Sequence, residues 1–210
     1  MKNTFLAAVI VFCTMHLSNA QGLKLTAIEL TFGKTYSSFQ FKNSAGEKYG
    51  NYNYAALNNF GANLNLTADR HVLRPSLGFR QGGAKTTIET IPIDWKVNYL
   101  DLSVGYLFKV LDTERLAISP GVALYGGYLM NGEQNVGDMR FPLAETEALK
   151  PFDFGVQGIV NGCFNVNEQL AISLEYRFGY GIAQIENDLQ PQTANNIYHA
   201  LVLGVGFRLN

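Results

Sequence analysis

Cysteine is almost missing: the 210 residues hold two, Cys13 and Cys163. No internal disulfide framework, the usual prop of small exported domains, survives if the first leaves with a leader. Histidine occurs 3 times, and charged residues reach only 16%, against roughly 25% in ordinary soluble domains. The 16 basic residues meet 17 acidic ones, a net charge of -1, so no bulk charge draws the chain to nucleic acid or anionic lipid. Beyond residue 20 no apolar run approaches the ~20 residues of a membrane helix, and the 3.6-residue period is absent. What is present excludes disorder: hydrophobic residues make up 47%, aromatics 12%, and there are 21 glycines.

The first twenty residues combine Lys2, an apolar run from Phe5 to Cys13, and the small-residue sequence Ser18-Asn19-Ala20. This pattern predicts a secretory signal peptide at 1–20 with cleavage after Ala20, leaving 21–210 as one domain. The run is about half what a spanning anchor needs. Cys163 lies between Gly162 and Phe164, a strand setting for a small side chain.

The mature chain alternates with period two. Leu170, Ile172, Leu174, Tyr176, Phe178 and Tyr180 interleave with Ala171, Ser173, Glu175, Arg177 and Gly179, and the same pattern repeats in eight segments. Short turns fall near Ala68-Asp69-Arg70, Leu111 to Glu114 and Asn165 to Glu168. Long polar connections run from Lys42 to Asn53, Gly82 to Asp94, Asn131 to Lys150 and Gln184 to Asn196. Strict alternation of long and short links predicts an all-β fold: an eight-stranded antiparallel up-and-down transmembrane β-barrel of the outer membrane, with lipid as its surroundings.

Charge placement decides which face meets lipid. Apart from Lys34, the greasy face carries no charge, whereas the other holds Arg74, Arg80, Asp101, Asp153, Glu175, Arg177 and Arg208. Turned inward, those groups neutralise one another as a structural lumen network and avoid ~2–4 kcal/mol per Arg or Lys at the bilayer midplane. The alternatives are a soluble ligand-binding barrel with its faces reversed, and a small channel lined by these charges. Tyr54, Phe79, Tyr106, Phe108, Tyr128, Phe152, Tyr180 and Phe207 are expected in interfacial girdles. Pro75 and Pro120 strain the reading, since a closed ladder needs their missing N–H groups.

No catalytic, cofactor or metal pattern emerges. His16 belongs to the leader, His71 adjoins a short turn, and His199 falls on the lipid-facing register without a serine motif. Gly78, Gly82 and Gly83 follow a strand but lead to no helix, so they are packing points rather than a phosphate loop. Glu133, Asp138, Glu145 and Glu147 in a long connection read as a solvated loop, the alternative being a site for calcium or a partner.

Several stretches together resemble the outer-membrane β-barrel domain family that includes PorT-like proteins of Gram-negative bacteria. They include Leu73-Arg74-Pro75-Ser76-Leu77-Gly78-Phe79-Arg80, Ile118-Ser119-Pro120-Gly121-Val122 with Ala123-Leu124-Tyr125-Gly126-Gly127-Tyr128, and Leu174-Glu175-Tyr176-Arg177-Phe178-Gly179-Tyr180-Gly181. The ending Leu203-Gly204-Val205-Gly206-Phe207-Arg208-Leu209 continues the likeness, which spans about residues 22 to 210. The resemblance implies an outer-membrane location, tolerated prolines at 75 and 120, and in PorT-like members a link to protein secretion or assembly. The family's usual final aromatic is replaced by Leu209-Asn210, so recognition by the barrel-assembly machinery is expected to use Phe207. The function expected from all this is structural or interaction-based, carried by the long loops and not enzymatic.

Overall fold

The computed structural model describes residues 22–43, 45–50, 52–143, 149–186 and 193–209; the leader read at 1–20 lies outside them. Their alternation of bulky and small side chains becomes eleven strands: β1 (Lys24–Lys42), β2 (Lys48–Tyr49), β3 (Asn53–Ala68), β4 (His71–Ile88), β5 (Ile91–Phe108), β6 (Leu111–Asp112), β7 (Leu116–Val136), β8 (Met139–Pro142), β9 (Phe152–Asn165), β10 (Leu170–Gly181) and β11 (Thr193–Arg208). The eight long ones pair antiparallel in chain order, and β11 returns to β1 through a ladder from Ala27↔Arg208 to Lys42↔Thr193. The result is an eight-stranded up-and-down barrel whose closure leaves no long unpaired edge.

The period-two pattern sorts the two faces. Leu30, Phe60, Leu102, Leu124, Leu174 and Leu203 point outward, with 45–66% of their surface open. Glu29, Asn63, Arg74, Arg80, Asp153 and Glu175 point inward, at 6% or less. The faces are therefore not reversed, as a soluble ligand-binding barrel would require. An outward apolar wall around an ionic interior suits a hydrocarbon surrounding.

Both prolines sit where the ladder lets them. The β3–β4 pairing skips from Asn63↔Ser76 to Leu66↔Leu73, so Pro75 keeps only its β5 partner Val104. The β5–β7 ladder ends at Leu107↔Gly121, and β6 takes over at Ile118, leaving Pro120 in the gap with Val160 of β9 on its other side. A missing N–H costs little at a position without a ladder bond.

The long connections depart from expectation. Gly82 to Asp94 is no loop: Gly82 pairs with Val97, Lys85 with Asp94 and Ile88 with Ile91, closed by a two-residue turn in which Glu89 takes φ 58°. Much of the Asn131 to Lys150 segment is likewise strand, since β7 runs to Val136 and turns through Gly137 (φ 58°) into β8. Thr86, Thr87, Ile88 and Ile93 favour an extended pleat. A strand outside the bilayer can be polar on both faces, and that polarity mimics a loop. At 12–21 residues, the eight wall strands exceed the ~9–11 residues that a tilted crossing needs. The excess lies at the long-connection end and is greatest along β1, β4, β5 and β7, giving a raised, lopsided rim.

Candidate functional site: a filled lumen beneath an apolar cavity

Inward positions build four levels from the short-turn end upward. Lowest is an apolar cluster of Val72, Leu107, Ala123 and Ile159. Its neighbour is the first ionic group. Arg74 Nη1 meets Glu175 Oε2 at 2.5 Å, while its Nε donates to Asn65 Oδ1 at 2.7 Å. Glu175 also accepts from Asn161 Nδ2 at 3.0 Å and pairs with Arg177. Beside it, Glu29 accepts from Asn63 Nδ2 at 2.7 Å and from the Ser173 hydroxyl.

The second ionic group centres on Arg80. Its Nε donates to Asp101 Oδ2 at 2.6 Å and its Nη2 to Asp153 Oδ2 at 3.0 Å. The guanidinium carbon stands 4.7 Å, 4.8 Å and 5.3 Å from the ring centroids of Tyr99, Tyr198 and Tyr125. Such a setting holds a cation on the π faces as well as between carboxylates. Asn196 Nδ2 completes the layer, donating to Asp153 Oδ2 at 2.8 Å. A void beside Thr31, Arg80 and Tyr198 measures about 30 Å³, large enough to hold water.

These distances bring together six of the seven residues read as lumen charges, in two groups. Arg208 is not among them. It lies exposed at the short-turn end, where Nη1 reaches the Asn167 carbonyl at 3.5 Å. The last residue of a strand has no lumen left to face, so alternation misplaces it. Glu29, buried on the inward face of β1, joins the first group. Among the described residues the two groups thus hold three arginines and four carboxylates.

Above Arg80 the lumen turns apolar. Phe39, Phe41, Ala84, Val97, Tyr99, Leu143, Ile185 and Ala194 form one buried cluster. Phe39 and Phe41 occupy the inward register of upper β1, and Trp95 comes from the matching height of β5. Ring centroids of Phe41 and Tyr52 stand 4.5 Å apart, and those of Tyr52 and Trp95 5.7 Å apart. Two connecting segments fold in over the lumen: Leu143 N donates to Gly132 O at 2.8 Å, and Ile185 N to Ala194 O at 2.9 Å. Between these walls lies a cavity of about 230 Å³, with Gln134 and Glu186 as its polar members. Sequence reading missed it by treating the inner face as uniformly small or polar. The available signal was the run of large apolar residues at alternate positions, Phe39 with Phe41 and Trp95 with Val97.

The two histidines among the described residues, His71 and His199, lie outside the lumen. His199 Nδ1 is 2.6 Å from the Tyr176 hydroxyl on the outer wall, with Tyr54 and Phe178 rings alongside. His71 Nδ1 is 2.6 Å from the Tyr106 hydroxyl at the short-turn end. Cys163 is a half-buried free thiol. Among the described residues no group of three or more His, Cys, Asp or Glu is placed to hold a metal ion.

Closed walls, ionic lumen and greasy exterior define the class: the chain has the fold of eight-stranded outer-membrane β-barrel proteins. Among solved structures it is similar to Neisserial surface protein A (NspA), at 13% identity and TM-score 0.52, covering 90% of this chain and 100% of that one. It is also similar to the outer membrane protein OprG from Pseudomonas aeruginosa, at 12% identity and TM-score 0.50, covering 90% and 99%. No family model and no curated protein matches the sequence.

Proposed function

We propose that the chain is exported by its leader, cleaved after Ala20, and works in the outer membrane as a non-conducting barrel that acts by interaction through its long-connection end, facing outside the cell. The filled lumen carries this reading. The Arg80 layer stacks three tyrosines and two aspartates across the barrel, with apolar clusters above and below. A barrel of eight strands has an interior that side chains alone can fill. The raised rim on β4, β5 and β7 supports the choice of end, because it spends strand length on a surface beyond the bilayer. The same layer supports reading the lumen charges as structural.

Planar bilayer recordings of the refolded protein test the reading: no discrete current steps are expected. Reproducible steps that change in Glu175→Gln or Arg177→Gln would instead establish a channel. The resemblance to PorT-like proteins supports a second reading, a component of protein secretion or assembly with contacts at the short turns. Crosslinking in cells separates the two, since that role requires one partner trapped at fixed stoichiometry through residues near Asp69, Asp112 or Glu168.

A further inference from the structure

We infer that the cavity at the long-connection end is a binding site for a compact, mainly apolar small molecule of about one substituted ring to a fused bicycle. This deepens the interaction reading, because it relies on that end being open to the medium, and it names the chemistry of the occupant.

Size comes first. An apolar cavity of about 150 Å³ stays dry and admits benzene; at about 230 Å³ this one takes something half as large again. Lining comes second. Phe39, Phe41, Tyr52 and Trp95 supply ring faces and edges, and Leu149 and Ile185 supply branched aliphatic surface. Water held there would find few hydrogen-bond partners, so displacing it by an apolar group is favourable. Gln134 and Glu186 supply the polar part of the wall and orient a hydroxyl or amide edge of the ligand. The floor comes third. Tyr99 belongs to the apolar cluster and lies against the Arg80 guanidinium, so the ionic layer shuts the cavity from below. A ligand enters and leaves by the same end, which makes this a binding site rather than a passage.

The chain has a single tryptophan, and it lines the cavity. Titration of the detergent-refolded protein with 4-bromobenzyl alcohol, a heavy-atom quencher of the right size, therefore reads occupancy through Trp95 emission. Saturable quenching is expected. Ala194→Phe and Gln134→Phe each fill the cavity from a different wall and should weaken half-saturation at least tenfold, while Leu102→Phe on the outer wall leaves it unchanged. If Ala194→Phe loses the heat-modifiable gel shift of a closed barrel, the Gln134→Phe result decides. Quenching that rises linearly, and equally in wild type and filled variants, reports partition into detergent and overturns the proposal. Current steps with saturable quenching retained would remove the closed-barrel reading and leave the site. Silence in the bilayer with linear quenching would do the reverse.

Discussion

Arg80 shows how one residue organises a lumen. Deleting its side chain leaves Asp101 and Asp153 facing each other without a cation in a water-poor interior. Breaking a buried pair in this way costs ~3–5 kcal/mol, so Arg80→Leu should lower the unfolding free energy of the bilayer-folded protein, measured in urea, by that much. Arg208→Ala is the matched comparison: it removes an arginine from the same predicted face but from an exposed site, and a change within about 0.5 kcal/mol is expected. Gly179 is a second sensitive position. A Cβ there would run into the Tyr198 ring, one of the three rings around Arg80. Gly179→Ala should cost ~1–3 kcal/mol as an overpacking change, whereas Gly158→Ala on the outer wall, where a Cβ meets nothing within 4 Å, should cost much less.

At the scale of the element, the strands explain which irregularities are tolerated. Pro75 occupies a rung that the β3–β4 ladder omits, so Pro75→Ala should leave the urea midpoint nearly unchanged, while proline placed at Leu77, inside both ladders, should prevent refolding to the heat-modifiable form. At the β4–β5 turn, Glu89 holds a left-handed φ that a β-branched residue resists. Glu89→Gly is expected to be neutral or slightly stabilising and Glu89→Val destabilising, both read from the same denaturation curves. Sequence alternation places Arg74, Arg80, Asp101, Asp153, Glu175 and Arg177 on one face because period two is a local property. Their pairing is not local: Arg74 and Glu175 are 101 residues apart, and meet only once closure and register are set. Strand ends were the weak point for the same reason. The membrane-spanning parts announce themselves by a greasy face, but the rim of β4, β5 and β7 stands beyond lipid and keeps only the backbone preference of Thr and Ile.

For the molecule as a whole, side-chain character changes along the barrel axis. Outward leucines and phenylalanines fit the wall to hydrocarbon, paired charges and tyrosines occupy its middle, and aromatic residues line a cavity at one end. Each part depends on the orientation of the faces, which follows from the cost of bare charge in lipid. That orientation can be read by nitroxide labels placed singly at Leu102, Leu124, Leu174 and Leu203 in a Cys163→Ala background, in protein refolded into lipid vesicles. Relaxation by dissolved oxygen and protection from a water-soluble nickel chelate are expected at all four positions. Chelate access at these sites, with oxygen excluded, would contradict that orientation.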